Sequence, residues 1–187
     1  MKHVILVHCW SGKPNHHWYR WLKKELEHEG FKVTVPAMPD ADHPDIGKWV
    51  AALKKAVGTP DKDTFFVGHS IGCQTILRYL ETINVKVGGV VLVAGWFTLQ
   101  GLENDEERAI AKPWLTQPLK FAQIKKNAKI TAFFSDDDPY VPVENAALFE
   151  KKLGARTILE CGKGHYTKSD GVTAVPDVLE EVLSIAK

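Results

Sequence analysis

Gly68-His69-Ser70-Ile71-Gly72 places a serine with glycine two positions to either side, at the point where the apolar run Thr64-Phe65-Phe66-Val67 gives way to helical spacing. A strand that turns sharply into a helix strains the turn residue, and small residues at those two positions relieve the crowding. Such a turn presents the Ser70 hydroxyl as a nucleophile. The helix that follows aims free N–H groups and the positive end of its dipole at the serine, which suits the negative charge that builds during acyl transfer. Ile71 N–H is therefore a candidate oxyanion donor. Reactive groups in parallel sheets gather at the carboxyl ends of strands, and two later apolar runs end in candidate partners. Residues 130–134 lead into Ser135-Asp136-Asp137-Asp138-Pro139, and residues 157–160 lead into Cys161-Gly162-Lys163-Gly164-His165, so serine, aspartate and histidine follow one another along the chain.

The elements that must position these groups alternate from end to end. Residues 4–8 read as a first strand; Trp18, Trp21, Leu22 and Leu26 then recur at helical spacing, with Gly30 where a C-terminal cap belongs. A second strand is expected at 32–36. Ile46, Trp49, Val50, Leu53 and Val57 mark a second helix, closed by Gly58-Thr59-Pro60. After Ser70, the set Cys73, Ile76, Leu77, Leu80 and Ile83 forms one apolar helix face, and 87–94 reads as a continuous apolar strand, whose lack of polar alternation implies burial on both faces. Further strands are expected at 130–134 and 157–160, with helices at about 143–153 and around Val178, Leu179, Val182 and Leu183. Residues 97–127 break this rhythm with an acidic stretch and with Pro113 and Pro118, and read as a small excursion. Strand–helix alternation implies an α/β fold, a parallel sheet with helices on both faces.

Composition narrows the class. A chain of 187 residues suits one domain spanning 1–187 and can bury a sizeable core. Its 24 Lys and Arg nearly balance 23 Asp and Glu, with no basic block, so neither nucleic acid nor an anionic membrane is expected as a partner. Three cysteines without framework spacing and an N-terminal apolar run too short for a signal peptide point to a reducing, cytoplasmic setting.

Several motifs together resemble the α/β-hydrolases, specifically small serine hydrolases of the YdeN and retinoblastoma-binding-protein type. They are Val7-His8, Trp18-x-x-Trp21-Leu22-Lys23-Lys24-x-Leu26, Gly68-His69-Ser70-Ile71-Gly72, Phe121-x-x-Ile124-Lys125-x-Asn127, Asp138-Pro139-x-Val141-Pro142 and Gly164-His165, and they cover nearly the whole chain. The resemblance implies a three-layer minimal α/β-hydrolase fold: a six-stranded parallel sheet in the order 2-1-3-4-5-6, helices on both faces and a small cap excursion at 97–127. It implies that Ser70 attacks an acyl carbonyl, that His165 takes and returns the proton, and that Asp138 orients the imidazole, with Asp137 as the fallback. The second oxyanion donor is expected in His8-Cys9-Trp10-Ser11-Gly12, where the resemblance implies Trp10 N–H and Cys9 N–H is the alternative. Cys9 departs from the glycine that many α/β-hydrolases carry there, and it tolerates positive φ poorly.

Other residues are read structurally first. His8 is expected to brace its loop, and adjacent His16 and His17 lack the i, i+4 spacing of a zinc pair, so no metal and no cofactor is called for. His69 occupies the variable position of the serine motif. Cys73 falls on a core face, and Cys9 is reactive only if exposed with a lowered pKa. Trp96, Trp114 and Tyr140 are the candidates for a substrate pocket, together with Trp10. The expected function is hydrolysis of small acyl esters through an acyl-enzyme. The alternatives are thioester or amide cleavage with the same residues, or a hydrolase-fold interaction module with little catalysis; a protein partner is possible but has no signature in the sequence.

Overall fold

Four runs of apolar residues set the frame. β1 (His3–Val7), β3 (Thr64–His69), β4 (Gly89–Val93) and β5 (Ile130–Ser135) are buried along nearly their whole length, as strands covered on both faces must be. The computed structural model describes residues 1–187 and places these strands at the centre of a six-stranded, all-parallel sheet in the order β2-β1-β3-β4-β5-β6. The edges are β2 (Lys32–Thr34), only three residues long, and β6 (Arg156–Glu160), whose residues are partly exposed.

Helices cover both faces. α1 (Tyr19–His28) and α7 (Pro176–Ile185) pack together on one; α2 (Ile46–Val57), α3 (Ile71–Leu80), α5 (Phe121–Asn127) and α6 (Asn145–Leu153) line up on the other. α3 is buried at every position, Gln74 and Arg78 included, so it is a central helix rather than an amphipathic one. It ends at Leu80, which leaves Ile83 beyond the helix that its spacing suggested. No helix is long and apolar enough to cross a membrane.

Residues 97–127 are more regular than their sequence suggests, for they hold α5 and a further helix, α4 (Asp105–Thr116). Asn104 caps α4 by accepting from Glu107 N–H at 2.9 Å, and three acidic residues occupy its first turn, where they suit the dipole. Pro113, which read as an interruption, is accommodated inside the helix. The segment is fastened to α3: Arg78 Nη2 donates to the carbonyls of Trp114 and Gln117 at 3.1 Å each, and Asn127 Nδ2 donates to those of Leu80 and Ile83 at 2.9 and 2.7 Å.

The chain leaves β1 toward β2 and returns on the other side to build β3. The carboxyl ends of β1 and β3 therefore flank the point where the direction of winding reverses, which is where open parallel sheets place their ligands.

Candidate active site

Ser70 stands between the end of β3 and the start of α3 with φ 55° and ψ −121°, a conformation costly for any residue but glycine. Its neighbours enforce that strain. Ser70 N–H donates to the Val93 carbonyl at 2.9 Å, and the Ser70 carbonyl accepts from Cys73 N–H at 2.9 Å. A Cβ on Gly68 would lie 2.9 Å from the Cys73 backbone, and one on Gly72 would lie 2.3 Å from the Val7 carbonyl oxygen. Both glycines thus let α3 run directly against the strands.

Three elements that are distant in sequence meet at this serine. Ser70 Oγ is 2.9 Å from His165 Nε2, and His165 Nδ1 is 2.8 Å from Asp138 Oδ2. All three residues are buried, at 7%, 9% and 7% exposure respectively. Asp138 Oδ1 accepts from Tyr140 and Val141 N–H at 2.8 and 3.0 Å, which fixes the carboxylate with its other oxygen on the imidazole. Asp137 does different work. Its Oδ1 accepts from Ser135 Oγ–H at 2.6 Å and from Gly164 N–H at 2.8 Å; these two bonds hold its carboxyl below the usual range. Asp136 accepts from Gly162 N–H at 2.9 Å. The two exposed aspartates therefore tether the loop that carries His165.

That loop is itself tightly wound, since Gly164 (φ 51°) and Tyr166 (φ 56°) on either side of His165 are left-handed. Asp170 Oδ2 accepts from His165 N–H at 3.0 Å, and Trp18 Nε1–H donates to the Tyr166 carbonyl at 3.0 Å.

The loop after β1 answers the question raised by Cys9. Left-handed φ falls on Ser11 (52°), not on Cys9, so the non-glycine residue carries no backbone penalty. Cys9 N–H donates to the Tyr19 hydroxyl at 3.1 Å, whereas Trp10 N–H has no acceptor within the protein. Ile71 N–H, at the first position of α3, has none either. His8 braces the loop: Nδ1–H donates to the Cys9 carbonyl at 2.8 Å and Nε2 accepts from Met38 N–H at 3.1 Å. The Cys9 and Cys73 thiols are buried, and burial pushes both up, so neither sits as a thiolate.

Ser70 and His165 face a cavity of about 650 Å³ that also takes in Trp10, Trp96 and Tyr140. Trp114 is not part of it. The indole is 2% exposed, donates from Nε1 to the Pro44 carbonyl at 3.0 Å and packs edge-on against Trp49, so it is a pillar between α4 and α2. From the 97–127 segment the cavity receives Leu99, Leu102 and Ile110, all at the α4 end. Its charged lining is one-sided, with Asp42, Glu103, Glu106 and Glu107 present and neither lysine nor arginine. His43 spans the rim, with Nδ1 3.3 Å from Asp40 and Nε2 3.3 Å from Glu106, contacts that raise its pKa. No group of three or more His, Cys, Asp or Glu side chains is disposed to hold a metal ion.

Three further residues belong to this neighbourhood: His17, which reads from the sequence as an exposed or loop-bracing histidine, His69, which reads only as the variable position of the serine motif, and Tyr19, to which the sequence pattern gives no role. His17 joins the β1–α1 loop to the His165 loop, its Nδ1 accepting from Lys168 N–H at 3.0 Å. Tyr19 and His69 are wholly buried behind Ser70 and bonded to each other at 2.6 Å. An adjacent aromatic pair, Trp18-Tyr19, at the head of a helix was the available signal, because a buried tyrosine needs a partner for its hydroxyl.

Comparison with known proteins identifies the family and the fold. A family model described as serine hydrolase matches residues 4–184. YdeN of Bacillus subtilis is 28% identical over 191 residues, 98% of this chain and 95% of that protein. Its crystal structure superposes with a TM-score of 0.91 at 26% identity, covering 99% of this chain and 98% of the other. Serine hydrolase RBBP9 of Rattus norvegicus is 29% identical over 157 residues, 83% of this chain and 81% of that protein.

Proposed function

The chain belongs to the serine hydrolase family, as an α/β-hydrolase of the YdeN and RBBP9 type, and from that premise we propose that it hydrolyses small carboxylic esters with Ser70, His165 and Asp138. The observation that carries the proposal is the continuous line from Ser70 Oγ to His165 Nε2 at 2.9 Å and from His165 Nδ1 to Asp138 at 2.8 Å, opening on the cavity.

The Ser70 hydroxyl donates to His165 Nε2, and His165 Nδ1–H donates to Asp138. As Oγ bonds to the acyl carbon, its proton passes to Nε2, and the charge that appears on the carbonyl oxygen is met by Ile71 and Trp10 N–H. Asp138 stays ionised and stabilises the imidazolium. Collapse breaks the bond to the alcohol oxygen, which leaves with the proton from Nε2, and an acyl-serine remains. Water then adds in the second half-reaction, giving its proton to His165, and the acid departs as the proton returns to Ser70.

The lining of the cavity bears on the substrate. Trp96 and Tyr140, which line the cavity with Ser70, suit a short or small aromatic acyl group, and Leu102 and Ile110 from the 97–127 excursion add apolar wall to it. Four carboxylates with no lysine or arginine raise the cost of bringing in an anion, so neutral or cationic esters are favoured over anionic ones.

A fluorophosphonate probe tests the reading: the parent protein labels and Ser70→Ala does not, and p-nitrophenyl acetate turns over faster than a long-chain or carboxylate-bearing ester. A folded parent that fails to label would instead favour an interaction module. Thioester and anilide substrates run alongside decide between ester, thioester and amide cleavage.

A further inference from the structure

Tyr19 and His69 have no part in the chemistry just described, yet each is completely buried next to it. His69 Nε2 is 2.8 Å from the main-chain carbonyl of His165, and His69 Nδ1 is 2.6 Å from the Tyr19 hydroxyl, which also lies 3.1 Å from Cys9 N. These contacts have one consistent assignment of protons. A carbonyl oxygen can only accept, so Nε2 carries the imidazole proton and Nδ1 presents a lone pair. Tyr19 must then donate to Nδ1, and its oxygen is left to accept from Cys9 N–H.

We propose that Tyr19 and His69 are positioning residues that lock the oxyanion loop and the catalytic histidine into one frame, through the chain Cys9 N–H to Tyr19 hydroxyl to His69 to the His165 carbonyl. The inference rests on the hydrolase reading above.

The two ends of this chain lie where backbone placement matters for catalysis. His165 sits between two left-handed residues, and its own amide is held from both sides, N–H by Asp170 at 3.0 Å and C=O by His69 at 2.8 Å. Releasing the carbonyl frees the backbone that carries the imidazole. At the other end, Tyr19 takes the Cys9 N–H out of the cavity and leaves the next one, Trp10 N–H, as the free donor. One hydroxyl therefore sets both the base and the second oxyanion donor against Ser70. Tyr19 also selects the His69 tautomer, since without its proton the Nδ1–H form becomes accessible and would turn a lone pair toward the His165 carbonyl. Burial, with His165 and His17 nearby, holds His69 well below the ordinary histidine pKa, and burial holds Tyr19 well above that of tyrosine, so the assignment persists across the working pH range.

The test compares Tyr19→Phe, His69→Phe and His69→Gln with the parent on p-nitrophenyl acetate. Rates are expressed per active site counted by fluorophosphonate titration, and melting temperatures are measured alongside. A misplacement of the reacting groups by a fraction of an ångström to an ångström lowers kcat per labelled site by about 10- to 100-fold in the two Phe variants, with KM within about twofold of the parent. His69→Gln, whose amide N–H can reach the His165 carbonyl, recovers most of what His69→Phe loses. Parent-like kcat per labelled site in Tyr19→Phe and His69→Phe, with only the melting temperature or the labelled fraction reduced, overturns the positioning role while leaving the hydrolase reading intact. A parent that neither labels nor turns over ester overturns both. Should the variants fail to fold, ¹⁵N spectra of the parent decide: His69 in the Nε2–H form supports the chain, and the Nδ1–H form or a mixture overturns it.

Discussion

Replacing Asp138 by asparagine separates the orienting role of this residue from its neighbours' roles, and the structure dictates how the new amide must sit. In the parent, Oδ1 accepts two main-chain N–H bonds, from Tyr140 at 2.8 Å and Val141 at 3.0 Å, while Oδ2 accepts from His165 Nδ1–H at 2.8 Å. Asparagine has one oxygen for these two sites. Turning its NH₂ toward Tyr140 and Val141 would leave two donors facing donors, at about 1–3 kcal/mol for each unsatisfied group. The oxygen therefore stays with the backbone and the NH₂ faces His165. A donor at Nδ1 forces the imidazole into the Nε2–H tautomer, which points a proton at Ser70 Oγ and cannot accept one. The expected loss is about 10⁴-fold in kcat, or ~5.5 kcal/mol of transition-state stabilisation, with KM little changed; the size is that of the corresponding change in the well-known Ser-His-Asp proteases. Asp137→Asn is the control: its carboxylate bonds Ser135 and Gly164 and does not bond the imidazole, so its kcat should stay within about tenfold of the parent. The assay is p-nitrophenyl acetate hydrolysis per folded protein, with the fold checked by circular dichroism. A kcat for Asp138→Asn within tenfold of the parent, or a larger loss in Asp137→Asn, would refute the reasoning.

Stability should fall on acidification. Burial holds His69, His8, His17 and His3 below the ordinary value, so the unfolded chain takes up protons near pH 6.5 while the folded chain does not; it is the unfolded state that gains. His69 alone contributes a slope of up to about 1.4 kcal/mol per pH unit below that point, and urea midpoints between pH 5 and 8 should show it shrinking in His69→Phe, whereas an unchanged slope in that variant would sink the assignment. His43 works in the opposite sense, because its raised pKa adds a contribution that is present at low pH and lost as pH rises through the folded value. Gly72→Ala puts a methyl 2.3 Å from the Val7 carbonyl oxygen and 2.8 Å from that of His8, and should destabilise by about 3 kcal/mol in a urea titration; a parent-like midpoint would contradict that close approach.

How far the sequence carries depends on whether a feature is written in local spacing or in contacts across the chain. The buried runs of β1, β3, β4 and β5 are local, and so are the glycines at 68 and 72, whose need is set by steric limits within a few residues of Ser70 or by the strand beside it. The choice among Asp136, Asp137 and Asp138 is already less local. All three lie at one strand end, and what separates them is which way each points: two accept from Gly162 and Gly164 N–H, and one faces His165 across 27 positions. Trp114 marks the limit of composition as a guide, because an indole beside a pocket and an indole between two helices are the same letter; only the Pro44 carbonyl under its N–H distinguishes them. The α4 and α5 helices were hidden for a related reason, since Pro113 and Pro118 punctuate the sequence while Arg78 and Asn127, from outside or at the far end, supply the bonds that make the segment regular. Tyr19 and His69 are the extreme case. Their partners lie 50 and 96 positions apart in the chain, and neither residue breaks a periodic pattern. What makes them legible is the rule that a buried polar group must be paired, applied after the fold is known: the pairing of a tyrosine with the residue next to the nucleophile and with the loop that faces it leaves little freedom for either.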